Sequence, residues 1–298
     1  MLRITLNSQT PPVRFNLTYQ QMIEKYGELE LPVDVSRLDP WDYQFTVGGV
    51  SRMMLQLSSF LGLSPIWVSL GPGYPPSARI GGITVKYVDL DPGDLAGFTS
   101  FKEGIYAESH GLSRYEFDPR EYISYTVYNW ESAKSLLDEL DSTDVYLVND
   151  FQQLLVGGII GPSAPAVIWY HIPLVPGLLS SRMAQFLRRS MEGFDAVVLS
   201  TRRDLEGLVA LGARANVRQV YPFIDPESLR DAPRSLADAV LGRLGVGPDD
   251  RVILLVARMD PIKSQDVAIR AMVGVDAKLV LVGDGSFTGS ALGRGKAG

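Results

Sequence analysis

The chain has 298 residues, 46% of them hydrophobic, a mean hydropathy of +0.06 and a formal net charge of −6. This is an ordinary globular composition, long enough for a large core and two domains. The acidic balance argues against a general nucleic-acid binder and against a polybasic membrane protein. There is no cysteine, hence no disulfide framework and no thiolate site, and the two histidines lie too far apart in sequence to suggest a His-based zinc site. The first residues, MLRITLNSQTPP, contain no long apolar stretch of the signal-peptide kind, and no run of about twenty apolar residues marks a membrane span, so a cytoplasmic enzyme is the default expectation. The lack of cysteine and the 19 prolines suit a thermophile.

In chain order, Leu2–Leu6 reads as a short strand. Residues 7 to 46 form a long, proline-containing tract with one helical stretch at Tyr19–Tyr26. Gly48-Gly49 then precede a helix with Val50, Met53, Met54, Leu57 and Phe60 on one face. Paired glycines before a helix let a ligand approach the backbone and leave N–H groups free for an anion; the plain alternative is a tight turn with positive φ. Strands follow at Ile66–Leu70 and Ile83–Val88. Residues 92–125 show no assignable period, His110 among them reads as part of a solvated loop, and Trp130–Leu140 is amphipathic.

Residues 145–174 are the clearest stretch. Val145–Val148 and Ala166–Tyr170 are apolar runs of strand length that flank an expected helix, Phe151–Ile160. They form a β-α-β unit with strands buried on both faces. The first run ends in Asn149-Asp150 and the second in His171. Ligands of open α/β sheets sit outside the carboxyl ends of strands, so Asp150 and His171 are expected side by side at one rim. Taken singly, Asp150 reads equally well as a helix N-cap and His171 as a satisfied core histidine. A helix follows at 181–193, with Arg182, Arg188 and Arg189 on a solvated face. Then come a strand at Asp195–Ser200, a helix at Arg202–Leu211, a strand at Val217–Tyr221 and a linker at Pro222–Pro226.

A second α/β unit begins after residue 226. Leu236–Leu244 is helical, Arg251–Val256 a strand, Gln265–Val273 a helix and Ala277–Val282 a strand. Arg258 and Lys263 flank the loop after the first of these strands. A guanidinium fork and an ammonium point charge suit a diphosphate, although two loop cations can also be mere surface charge. The turn Gly283-Asp284-Gly285-Ser286 after the next strand can offer N–H groups to the same anion. The expected domains are 1–226 and 227–298. The second holds too few strands to cover both faces of a parallel sheet, so it is expected to be incomplete.

The series Gly48-Gly49, N-D-F-Q-Q-L-L-V from Asn149, Y-H-I-P from Tyr170, I-D-P from Ile224, A-R-M-D-P-I-K from Ala257 and V-G-D-G-S from Val282 resembles retaining glycosyltransferases of the GT-B fold, group 1 (family 4), above all trehalose glycosyltransferring synthase. It is also similar to trehalose-6-phosphate synthases. The resemblance covers nearly all of the chain except 7–45 and 90–140. It implies two Rossmann-like domains whose parallel sheets face a cleft. It also implies transfer of glucose from UDP- or ADP-glucose to a small sugar acceptor, glucose in the trehalose-forming case. No cofactor is obligatory in this reading, no metal is held by the protein, and Mg2+ would come only with the nucleotide. Arg258 and Lys263 match the pair that holds the donor diphosphate. Gly48 and Gly49 match the N-terminal loop near the donor phosphates and the acceptor, Gly283 and Gly285 join the donor-binding set through the turn described above, His171 matches a contact to the transferred sugar, and Asp150 matches an acidic residue of the acceptor pocket. Fixed cations aimed at the leaving diphosphate lower the barrier as charge develops there. Two departures stand out: Asn149 occupies a position where His is common, and no E-x7-E motif follows residue 264, so this chain is expected to be nearly inactive by itself. The partners implied are the two sugars, with no nucleic acid or membrane, and a homo-oligomer is compatible. Competing readings are a sugar-nucleotide epimerase, poorly supported by the lone Asp150, and a non-catalytic sugar-binding module.

Overall fold

A computed structural model describes residues 2–46, 48–71, 74–227, 234–283 and 285. It divides the chain into two compact units, Met1–Asp225 and Pro226–Gly298.

In the first unit β1 (Ile4–Asn7) leads into an antiparallel pair, β2 (Val13–Phe15) with β4 (Tyr43–Phe45). This pair encloses α1 (Tyr19–Tyr26) and the short β3 (Val33–Asp34). The helix starts where Thr18 and Gln21 form a reciprocal capping box, which satisfies two of the amides a helix start leaves open. Next come α2 (Gly49–Phe60), β5 (Ile66–Leu70), β6 (Ser77–Ile80) and β7 (Ile83–Val88). Two long helices follow, α3 (Pro92–Ser109) and α4 (Pro119–Leu137). The unit continues through β8 (Val145–Asn149), α5 (Val156–Ile160), β9 (Ala166–Tyr170), α6 (Ser181–Met191), β10 (Ala196–Leu199), α7 (Arg202–Ala210) and β11 (Val217–Gln219).

Among the described residues nine strands form one sheet in the order β11-β10-β9-β8-β1-β5-β7-β6-β3, parallel throughout except at β6–β7. Both faces are covered, as the apolar runs require. Trp67 of β5, Leu147 of β8 and Trp169 of β9 pack with Met53 and Met54 of α2. Their neighbours Val68, Val148 and Ile168 point the other way, into the core under α3, α4 and α6. Phe60, expected on the buried face of α2, is instead 72% exposed, because it lies in the last turn beyond the sheet's cover; its ring meets Phe223 at 5.4 Å.

Residues 92–125, unassigned from sequence, hold α3 and most of α4. Each helix begins with Asp-Pro. Asp91 accepts from the amides of Gly93 and Asp94 at 2.8 and 2.9 Å, and Asp118 from those of Arg120 and Glu121 at 2.7 and 3.2 Å. Trp130–Leu140 is therefore the end of α4 rather than a helix of its own. His110 closes α3 as its C-cap, half-buried, with its ring 4.1 Å from that of Tyr106. The expected helix 151–160 is a 3-10 turn, Phe151–Gln153, followed by the five residues of α5.

The second unit contains α8 (Arg234–Arg243), β12 (Val252–Val256), α9 (Gln265–Ala271) and β13 (Lys278–Val282). The two strands pair in parallel with Val252 opposite Lys278.

Candidate functional site

The parallel sheet of the first unit brings the carboxyl ends of β1, β8, β9 and β10 to one rim, so Asn7, Asn149, Asp150, His171 and Ser200 converge there although the chain separates them widely. Asn149 is buried; its Nδ2 donates to the Asn7 carbonyl at 3.4 Å, which turns its Oδ1 towards Nε2 of His171, also at 3.4 Å. Nδ1 of His171 lies 3.3 Å from the Ser200 hydroxyl. Oδ1 of Asn149 can only accept, so the ring carries its proton on Nε2 and Nδ1 faces the Ser200 hydroxyl, which also donates to the Tyr170 carbonyl at 3.4 Å. Burial lowers the imidazole pKa to about 4, so His171 is neutral at neutral pH.

The expected juxtaposition of Asp150 and His171 is present: the His171 backbone N–H donates to Oδ1 of Asp150 at 3.0 Å. Asp150 does not cap the following turn with its side chain. Its backbone lies at φ 73°, ψ −178°, a region that glycine occupies freely and a residue with a Cβ enters only under strain. Its carboxyl is buried. Desolvation raises the pKa to about 6, against the backbone N–H groups of His171, Phe151 and Ile172, which pull it down. A strained, buried, partly titrating carboxylate at a sheet rim is what a ligand-directed group looks like.

Beside Asp150 a cavity of about 50 Å³ is lined by Ser8, Gln9, Thr10, Ser51, Asn149 and Gln152. It has room for one or two hydroxyl groups, not for a sugar ring, and no cation lines it. The start of α2 stands next to it, where Ser51 of the first turn donates to the Thr10 carbonyl at 2.8 Å. Gly48 caps this helix at φ −61°, without a side-chain cap bond. The tight turn with positive φ is therefore not what these glycines serve. A Cβ on Gly49 would meet nothing within 4 Å, and one on Gly48 only two threonine methyls at 3.5 and 3.8 Å. What the pair leaves is open space before uncapped amides.

In the second unit Arg258 follows β12 and pairs with Asp260 of its own loop at 2.7 Å. Asp260 also accepts from Ile262 N at 3.2 Å, and the buried Gln265 donates to the Arg258 carbonyl at 2.9 Å. These bonds fix the loop that ends in the exposed Lys263. Gly283 and Gly285 have a stricter role than expected. A Cβ on Gly283 would stand 2.0 Å from the Ala257 carbonyl oxygen, and one on Gly285 2.5 Å from that of Met259. The turn after β13 thus lies directly on the backbone that carries Arg258. Asp284 and Ser286 of this turn lie outside the described residues. Among the described residues no three His, Asp or Glu side chains gather as a metal site, and no helix is long and apolar enough to cross a membrane.

Sequence reasoning did not single out Ser200 or Asn7. Their position depends on β10 and β1 flanking β9 and β8, and strand order is not local information.

No protein-family model matches the chain, and no curated protein matches it in sequence. Solved structures do match. A structure of trehalose-6-phosphate synthase OtsA is 14% identical with a TM-score of 0.71, covering 99% of this chain and 69% of that one. One described as trehalose-6-phosphate from E. coli bound with UDP-2-fluoro glucose is 15% identical, TM-score 0.67, covering 95% and 65%. A UDP-forming alpha,alpha-trehalose-phosphate synthase from Burkholderia xenovorans in complex with glucose-6-phosphate is 13% identical, TM-score 0.70, covering 99% and 69%. The fold is GT-B. At these identities the likeness establishes architecture, and the chain spans about two thirds of the length of these GT-B structures.

Proposed function

We propose that the chain is a glycosyltransferase of the GT-B class that moves glucose from a nucleoside diphosphate sugar, UDP- or ADP-glucose, to a sugar acceptor, with retention at the anomeric carbon. The observation that carries this reading is Asp150, a buried carboxylate held in a glycine-like backbone conformation beside the neutral imidazole of His171. In the transfer the bond from the anomeric carbon to the diphosphate breaks and a bond to an acceptor hydroxyl forms. The hydroxyl proton leaves with the departing diphosphate. Arg258 and Lys263 offset the charge that develops on that diphosphate. The Asp150 carboxylate accepts from acceptor hydroxyls and fixes their orientation, and His171, uncharged, contacts the sugar without repelling an oxocarbenium-like centre.

The acceptor is assigned as an uncharged sugar, glucose, giving trehalose in the manner of trehalose glycosyltransferring synthase. The rim cavity is lined by hydroxyls, amides and one carboxylate, which suit neutral hydroxyls better than a phosphate. One observation favours a second reading, a phosphorylated acceptor as in trehalose-6-phosphate synthase: Nζ of Lys102 lies 3.4 Å from Oε1 of Gln9 at the edge of that cavity. A transfer assay with UDP-, ADP- and GDP-glucose against glucose and glucose 6-phosphate tests both readings. Because this chain is expected to turn over poorly by itself, product is read with protein in excess over donor: product from glucose that is lost in Asp150→Asn supports the first, and product from glucose 6-phosphate alone supports the second. A sugar that binds with no dependence on nucleotide or on Arg258 would point to a binding module instead.

A further inference from the structure

A groove of about 460 Å³ runs between α4, α5 and α6 and shares no lining residue with the rim cavity. Its volume is that of a small-molecule site, which typically runs from about 300 to 1,000 Å³. One side is aromatic. Phe117, Tyr122 and Phe186 are the outer members of a ring cluster centred on the fully buried Phe101, with centroids 5.4, 5.4 and 5.6 Å from it. The inner rings are core. The outer three keep an edge in the groove, and Tyr122 remains 36% exposed.

Phe186 belongs to α6, which beside it presents Arg182, Gln185 and Arg189 to the groove. Their spacing sets them on one stripe, with the two arginines about 10 Å apart along the axis. A solvated arginine on a helix can find a carboxylate four residues along. On this helix Arg188 is indeed paired, with Glu192 at 2.9 Å. Arg182 and Arg189 have no carboxylate partner among the described residues, and no acidic residue lines the groove. Arg182 instead stands over the Phe117 ring at 5.8 Å. The groove therefore offers forked cationic donors beside aromatic edges, with no carboxylate among the described residues to neutralise them.

We infer that this groove is a second ligand site, separate from the sheet rim, which takes a phosphate ester carried on a ring, the ring packing against the edges of Phe117, Tyr122 and Phe186, which stand steeply to one another, and the phosphate on the forks of Arg182 and Arg189. A sugar phosphate and a nucleoside monophosphate share this chemistry. The proposal does not depend on the transferase reading.

Calorimetric titration of the full chain with inorganic phosphate, glucose 6-phosphate and AMP tests it. At least one ester is expected to bind saturably with Kd below about 1 mM, and about tenfold tighter than inorganic phosphate. That binding is expected to weaken at least about tenfold in Arg182→Ala/Arg189→Ala and to persist in Asp150→Asn. Which ester binds identifies the source. The arginines are exposed, and Arg182→Lys/Arg189→Lys serves as a second variant that keeps the charge and loses the fork; partial retention is expected. Four results would overturn the proposal: no saturable binding of either ester up to about 10 mM, phosphate binding as tightly as both esters, affinity unchanged in the double alanine variant, or affinity lost in Asp150→Asn, which would place the ligand at the rim.

Discussion

The backbone N–H of His171 donates to the carboxylate of Asp150 at 3.0 Å, and the two residues close adjacent parallel strands of the sheet. Burial acts on both and drives them in opposite directions: it raises the carboxyl to about 6 and lowers the imidazole to about 4. Between those values both side chains are neutral in the folded protein, whereas in the unfolded chain both are largely charged.

Opposed pH slopes follow. The Asp150 carboxyl binds its proton more tightly when folded, so its contribution is fully present below about pH 3.8 and is lost as pH rises through 6, a change of about 3 kcal/mol. His171 binds its proton less tightly when folded, so its contribution is present above about pH 6.5 and is lost as pH falls through 4, again about 3 kcal/mol. In the wild type the two nearly cancel between these limits. Asp150→Asn should leave only the histidine slope, more stable than wild type at about pH 7.5 and losing that advantage on acidification. His171→Gln should become more stable as pH falls from about 6 to 4. Urea midpoints across this range measure both, and parallel curves for all three proteins would refute the assignment.

The strained backbone of Asp150 gives a second expectation. Any side chain at φ 73°, ψ −178° carries a cost that glycine avoids. Asp150→Ala and Asp150→Gly both remove the carboxylate and leave the His171 amide without its acceptor. The glycine variant should nevertheless be the more stable, by about 1 to 3 kcal/mol. Equal denaturation midpoints would show that the loop relaxes at no cost.

Gly283→Ala tests the donor loop. Its new methyl would stand 2.0 Å from the Ala257 carbonyl oxygen, so the loop carrying Arg258 has to move. UDP binding should weaken at least about tenfold, as it should in Lys263→Ala, while the first unit melts unchanged. Retained UDP affinity in both variants, measured by calorimetry, would remove these residues from donor binding.

The Asp-Pro helix starts are open to a simple test. Asp91→Ala and Asp118→Ala should each lower stability by about 1 kcal/mol in chemical denaturation, since each leaves two first-turn amides without their acceptor.

How much of this was legible in the sequence depended on locality. Ala166–Tyr170 reads directly as a strand because its apolar run is unbroken, Ile66–Leu70 because only Ser69 interrupts it, and Ile83–Val88 because it is rich in β-branched residues despite Lys86. α3 did not, because its core-facing stripe ends in the buried Glu108 and Ser109 while Leu95 faces outward. Glu108 is satisfied there by the amides of Ser180 and Tyr115, a tertiary arrangement that no window of sequence reveals. The local signal for both long helices, Asp-Pro followed by an acidic residue in the first turn, was present at residues 91–94 and 118–121 and was not used. At the rim, Asp150 and His171 were legible because strand ends are. The φ of Asp150 was not, since its N–H is held by the Trp169 carbonyl of the neighbouring strand at 2.8 Å, a contact no window of sequence contains. Arg182 and Arg189 read as a solvated face because Phe117 and Tyr122, which turn that face into a groove, come from a distant part of the chain.

The central claim is that the Asp150–His171 rim receives the hydroxyls of an uncharged sugar. Calorimetric titration of glucose into the wild type and Asp150→Asn at about pH 7.5, where the carboxylate is ionised, tests it most directly. The account predicts saturable binding to the wild type, tighter when UDP is present, and affinity at least about tenfold lower in the variant. Equal affinity in the two proteins, or no saturable binding of glucose to the wild type, would contradict it.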